Sequence, residues 1–125
     1  MKSMVMLDAN MILRYLLNDN QRMADTAEEY LNSGDVSVTI EVIAEVVYVL
    51  KGVYSMEQTI IAETVGRFLE LVDCPEMDVL RFALDAYGAI NLDFVDCVLY
   101  GYHTRKGTVI ATFDKKLLKL VEEPS

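Results

Sequence analysis

Four acidic residues stand among apolar neighbours, where a charge is costly to keep. Asp8 ends the run "MVML", Glu45 lies inside "VIAEVVYV", Asp96 inside "FVDCVL", and Asp114 follows "VIATF". A carboxylate held away from water without a partner neutralises or costs on the order of several kcal/mol. No arginine or lysine lies within a helical turn of Glu45 or Asp96. Dispersed carboxylates lacking a counter-charge are well met by one or two divalent cations. Hard oxygen donors, with no His or Cys among them, favour magnesium, with manganese as a substitute, over zinc. An ion held in this way polarises a phosphate and lowers the pKa of bound water, which is the chemistry of phosphodiester hydrolysis.

Each acid also has an ordinary structural use. Asp8 can cap the helix that follows it, Asp114 can cap "KKLLKL", and Asp96 can sit in a first turn where the helix dipole favours negative charge. Glu45 shares its helical row with Glu41, Tyr48 and Val49, a mixed face that suits solvent. Any one of these uses is unremarkable; all of them together is the pattern a shared site requires. If the carboxylates repel one another, removing Asp8 or Asp96 should leave the metal-free chain equally or more stable.

The elements that must position these acids alternate between strand and helix. "MVML" reads as a buried strand, and "NMILRYLLN" as a helix with Asn10 placed to cap it. "QRMADTAEEYLNSG" is amphipathic and stops at Gly34; "DVSVTI" reads as a second strand. "EVIAEVVYVLKGVY" is long enough for a buried helix despite its valines. "SMEQTIIAETVGRFLELV" opens on a capping-box pattern from Ser55 to Gln58, and "PEMDVLRFALDAYGAI" starts with proline in a first helical turn. In "INLDFVDCVLYGY", Asp93 is the expected N-cap, with at most a supporting or water-mediated role at an ion, and the helix runs to Gly107. "TVIATF" is a β-branched strand candidate, followed by a short final helix. Strands apolar on both faces and alternating with helices predict an α/β fold: one three-layer α/β/α domain over residues 1–125, with a small, mainly parallel sheet of four or five strands. Ligands in such folds bind beyond the carboxyl ends of the strands, where Asp8 and Asp114 fall.

A length of 125 residues suits one domain, and 53% hydrophobic residues supply an ample core with a surplus that suits a subunit interface. Apolar runs are broken well short of the roughly 20 residues a membrane span needs. The run before Asp8 is too short for a signal-peptide core, so a cytoplasmic protein without a membrane partner is expected. Cys74 and Cys97 lack metal-binding or redox spacing and read as reduced, buried small hydrophobes. Net charge of −9 argues against binding nucleic acid by bulk electrostatics. Two features act against that: Arg105, Lys106, Lys115, Lys116 and Lys119 concentrate in the last quarter, and a bound cation would reverse the local sign.

Taken together, "VMLDANMILRYL", Glu45 in its apolar helix, "FVDCVL" and "VIATFDKKL" resemble the four motifs of the PIN domain, most of all the compact VapC-like toxins of type II toxin–antitoxin modules. The resemblance covers residue 4 to about 121. It implies a magnesium-dependent endoribonuclease, often a homodimer, neutralised by an antitoxin that inserts a segment across the active site. It also implies Asp8, Glu45, Asp96 and Asp114 as the acidic quartet. Asn10 matches the small polar residue two after the first Asp, and Thr112 the threonine two before the last. In that frame Asp8 and Asp96 are the principal metal ligands, and Glu45 and Asp114 complete the site. Asn10 and Thr112 orient the carboxylates, and Arg14, one turn beyond Asn10, is placed to touch a substrate phosphate. His103 lies two turns after Asp96, about 10 Å along the helix, and reads as an ordinary helix-end histidine.

Two other classes stay open. A non-catalytic PIN-like module that binds RNA or a partner protein fits the acidic balance. A phosphoacceptor domain resembling response-regulator receivers fits less well: no acidic pair precedes Asp8, and Lys115 and Lys116 follow Asp114 directly.

Overall fold

A computed structural model describes residues 4–122 of the chain. The first three residues, read above with the run to Asp8 as too short for a leader, and the last three lie outside the described residues. The element order is β1 (Val5–Met6), α1 (Ala9–Leu17), α2 (Gln21–Asn32), β2 (Val36–Ser37), α3 (Ile40–Gly52), α4 (Gln58–Phe68), a 3₁₀ turn (Leu69–Leu71), α5 (Met77–Ala89), α6 (Phe94–Lys106) and α7 (Lys115–Glu122).

β1 and β2 pair in parallel, Val5 with Val36 and Met6 with Ser37. A parallel bridge from Ser37 to Asp73 extends the sheet by one residue pair, with the Val38 amide donating to the Asp73 carbonyl at 2.9 Å. The parallel α/β character is as expected, but the sheet is smaller than the four or five strands read from the pattern: two strands and a bridge among the described residues. "TVIATF" has no regular secondary structure and pairs with no strand there. Val109 and Phe113 point almost entirely into solvent, so the β-branched composition lacked the ladder that gives strand propensity its value.

Helices carry the core instead. Ile12 and Leu13 of α1, Val46, Val47 and Leu50 of α3, Ile61 and Val65 of α4, Leu80, Ala83 and Leu84 of α5 and Cys97 of α6 belong to one continuous apolar cluster. Each fully buried Leu, Ile or Val contributes about 1.5–3 kcal/mol from lost water contact. α5 and α6 make the most extensive helix pair. Gly101 allows their close approach, because a Cβ there would stand 3.0 Å from the Val79 carbonyl oxygen. The edge-to-face rings of Phe82 and Tyr100, 5.0 Å apart, and of Tyr87 and Phe94, 5.7 Å apart, flank this contact. No described helix is long and apolar enough to cross a membrane.

Helix starts depart from the sequence reading at three places, one of them Pro75, which precedes the Glu76 cap position and lies outside α5. The cap of α1 is Asp8, whose Oδ1 accepts the Met11 amide at 2.9 Å, while Asn10 lies inside the helix and is exposed. Ser55 has φ of 53° and does not cap α4. Its supposed partner Gln58 donates instead to the Tyr87 and Ile90 carbonyls, tying α4 to the end of α5. The stops at Gly34 and Gly107 are as read: both have positive φ, and Gly107 caps α6 in the left-handed conformation.

Candidate active site

Four of the acids sit at helix starts, and Glu45 does not. Asp8 follows β1 at the parallel sheet's end and starts α1. Asp93 occupies the N-cap position of α6 without making a side-chain cap bond, and Asp96 lies in that helix's first turn. Asp114 starts α7: its Oδ1 accepts the Leu117 amide at 2.9 Å and its own amide donates to Thr112 Oγ1 at 3.0 Å. Thr112 thus bonds the Asp114 backbone rather than its carboxylate. Glu45 is in the middle of α3.

Burial separates Asp96 from the rest. Asp8, Glu45, Asp93 and Asp114 are exposed, so the cost argument that first marked these acids applies only to Asp96, which is half-buried. Helix faces turned three of the apolar-flanked acids outward, a result that neighbours in sequence do not reveal. Asp96 accepts no hydrogen bond among the described residues, and its carboxyl is held above the ordinary value of 3.8. Burial is the largest cause, followed by the charges of Asp114 and Asp93. Asp93, Asp96 and Asp114 thus form one electrostatic group built from the starts of α6 and α7.

Asp8 is not among the charges acting on Asp96. It opens with Asn10, Arg14 and Arg22 onto a cavity of about 490 Å³ between α1 and α2. Arg14 lines that cavity, its guanidinium engaged by Asp19 at 2.9 Å and its Nε buried without a hydrogen-bond partner. Glu45 makes no hydrogen bond or ion pair among the described residues; its neighbours Ala44, Val47 and Tyr48 line a cavity that Asp93 also lines. Among the described residues, no three His, Cys, Asp or Glu side chains stand close enough to hold one ion.

The donor chemistry nonetheless suits a hard divalent cation. The group around Asp96 offers only carboxylate oxygens, and the burial and like charge that together raise the Asp96 carboxyl are what a cation offsets. Cys97 is adjacent but fully buried, with its thiol pushed up to about 12 by burial and then by Asp96 and Asp93, so it is no ligand. His103 is taken up at the other end of α6, where Nδ1 meets the Thr108 carbonyl at 3.0 Å, as a helix-end histidine.

No curated protein and no solved structure matches the chain with significance. The family model of the PIN domain matches residues 5–123, nearly the whole length, and the chain therefore belongs to the PIN domain family, whose fold is of the nuclease type.

Proposed function

We propose that this protein is a magnesium-dependent endoribonuclease, a VapC-like toxin of a type II toxin–antitoxin pair that acts in the cytoplasm as a single-domain homodimer and is held silent by a cognate antitoxin. One observation carries the reading: in a chain that matches the PIN domain over residues 5–123, Asp96 is half-buried beside Asp93 and Asp114, its carboxyl raised by burial first and then by their charge. Asp8, Glu45, Asp96 and Asp114 would hold the ion, with manganese as a substitute for magnesium. The ion supplies polarisation of the scissile phosphate and a more acidic water. The chain's own residues do the placing. α6 aims Asp96 from its first turn. Thr112 fixes the approach to Asp114, and Asn10 and Arg14 line one cavity with Asp8, where a phosphate would meet Arg14 beside its Asp19 partner. Asp93, with no capping bond to make, supports the ion directly or through water.

The test is cleavage of total RNA by purified protein in magnesium, in EDTA and as Asp96→Asn. Cleavage in magnesium alone, lost in the variant with the fold intact, supports the reading; undiminished cleavage by a metal-replete Asp96→Asn protein sinks it. A non-catalytic PIN-like module that binds RNA or a partner is favoured by a different observation, the lack of three converging ligands among the described residues. Magnesium-independent RNA binding without any cleavage would select that second reading.

A further inference from the structure

The turn between α1 and α2 is short and closely held. Asn18 ends α1 in the left-handed conformation, and Asn20 caps α2, its Oδ1 accepting the Met23 amide at 3.1 Å. Ala24, Ala27 and Leu31 bury the inner side of α2. The first turn of α2 is thereby set beside α1, and the two helices wall the cavity of about 490 Å³, a volume within the range of ligand sites. Asp8 is the one acid in its wall among the described residues, and it is not among the charges that act on Asp96. The cavity is thus electrostatically distinct from the group of Asp93, Asp96 and Asp114.

Most of the hydrogen-bonding capacity that α2 brings here is unspent. The Arg22 guanidinium makes no ion pair or hydrogen bond among the described residues, whereas Arg14, Arg105 and Lys106 are paired to aspartates. Asn20 has committed its Oδ1 and keeps its amide NH2. The Thr26 hydroxyl is turned back to the Arg22 carbonyl at 3.0 Å. Arg14 adds a buried Nε that meets no acceptor. Arg22, Asn20 and Arg14 therefore leave only donors over, and a fitting ligand brings acceptors. Met11, half-buried, and Met23 supply adaptable apolar wall. Apolar wall beside a planar donor fork suits a flat heteroaromatic ring better than a hydrated phosphate alone. Among the bases, guanine presents two acceptors side by side, O6 and N7, the pair that an arginine fork meets with two parallel bonds. Adenine presents one acceptor and one donor on that edge, and a group that only donates meets the acceptor alone.

We propose that the α1–α2 cavity is a pocket for a guanine base, read on its O6 and N7 edge by Arg22 and packed against Met11 and Met23. The inference rests on the nuclease reading for RNA as substrate and deepens it: a guanine splayed from an unpaired strand and seated beside Asp8 selects which phosphodiester bond lies at the acids. Sequence preference is then a property of the start of α2, while the acids carry the chemistry common to every bond.

Metal-stripped protein is titrated into fluorescein-labelled pyrimidine RNA probes of about 12 nucleotides that carry guanine, inosine, 7-deazaguanine or adenine at one central position. Inosine keeps O6 and N7 and should bind as guanine does. Adenine should bind about 5- to 150-fold more weakly, and 7-deazaguanine, which lacks N7, at least about 5-fold more weakly. Arg22→Lys keeps the charge and loses the fork, so it should bind all four probes alike, and Arg22→Gln should do the same. Arg22 is exposed, and circular dichroism checks that the variants fold. No binding of the guanine probe, equal affinity for guanine and 7-deazaguanine, or a preference retained in Arg22→Lys would each overturn the pocket. So would a uniform loss across all four probes in Arg22→Gln with the preference intact, which would mark a phosphate contact. In magnesium, cut sites in a random-sequence RNA pool should carry guanine at one fixed position for the parent and not for Arg22→Lys. Discrimination in binding without any cleavage leaves the pocket standing and removes the nuclease reading; cleavage indifferent to guanine, with no discrimination in binding, does the reverse.

Discussion

Asp8 and Asp96 were expected to behave alike on removal, and the structure sets them apart. Asp8 caps α1 through a 2.9 Å bond to the Met11 amide, so Asp8→Ala exposes an unpaired helix donor. Loss of an N-cap costs about 0.5–2 kcal/mol, and the exposed setting here puts the loss near 1. In a chain of this length that lowers Tm by roughly 3–6 °C. Asp8→Asn keeps the cap, because asparagine caps as well as aspartate, and should melt within about 1 °C of the parent. Asp96 has no such bond to lose. Its folded-state carboxyl is raised, so the folded chain binds a proton more tightly than the unfolded one. Its contribution to stability is then fully present below the ordinary 3.8 and is lost as pH rises through the raised folded value. Asp96→Asn should therefore equal the parent in acid and match or exceed it at neutral pH.

The assay is thermal denaturation in EDTA at acid and neutral pH, repeated with magnesium. At ten times the dissociation constant the ion stabilises the native chain by about 1.4 kcal/mol, and Asp96→Asn should forfeit that gain while Asp8→Ala loses stability even without metal. If Asp96→Asn melts well below the parent in EDTA at neutral pH, the carboxylate is a structural group and the reasoning fails. If Asp8→Asn is as unstable as Asp8→Ala, the cap is not what Asp8 supplies.

Three further outcomes follow from the helix contacts. Tyr102 donates from α6 to the Glu76 carboxylate at the start of α5, a bond that pushes its phenol up to about 12. Tyr102→Phe should cost about 1–2 kcal/mol in a urea titration at neutral pH. The sign follows from the raised value: the contribution is present below 10 and fades as pH climbs through about 12, so the difference between parent and variant should close in strong alkali. Gly101→Ala gains about 1 kcal/mol of helix propensity but presses a methyl to 3.0 Å from the Val79 carbonyl, where overpacking costs about 1–3. The net should be a loss of roughly 0–2 kcal/mol, and a variant clearly more stable than the parent would contradict the close α5–α6 approach. Cys97 is fully buried with its thiol pushed up to about 12, so alkylation in mild alkali should label Cys74 alone until denaturant is added. Rapid labelling of Cys97 in the native protein would show that the first turn of α6 opens.

Most of the helices were legible because burial imprints a period. The helical spacing of Ala24, Ala27 and Leu31, or of Val79, Ala83 and Ala86, survives any tertiary detail. The sheet was less so. "TVIATF" carries strand composition, but a strand is defined by a partner, and chain entropy and packing left residues 108–113 beside α6 and α7 with no ladder. Ser55 and Gln58 failed for a similar reason: the glutamine had better partners thirty or so residues away, in the carbonyls at the end of α5. For the site, the acids were singled out by their apolar neighbours, yet flanking apolar residues could not tell an acid facing inward from one rotated outward. Asp96 proved the partly buried one, and Asp93, read as a helix cap, turned out to act on Asp96 through its charge.

The placement of the acids at helix starts explains why structural and functional readings resisted separation. Asp8, Asp93 and Asp114 stand at the beginnings of α1, α6 and α7, and Asp96 lies one turn further in. A helix N-terminus carries about half a positive charge and favours a carboxylate by about 0.3–1 kcal/mol. Each acid is thus stabilised locally before any ion arrives, which lets a folded chain tolerate several like charges in one region. The same positions leave a carboxylate oxygen over after the capping bond is made: Asp8 and Asp114 each commit Oδ1 to an amide and keep Oδ2. A capped helix start is therefore a rigid mount for a ligand rather than an alternative to one. Asp96 differs in having burial and like-charge neighbours but no hydrogen bond to offset them. It is the acid with most to gain from a cation, and so the one whose replacement should uncouple stability from magnesium.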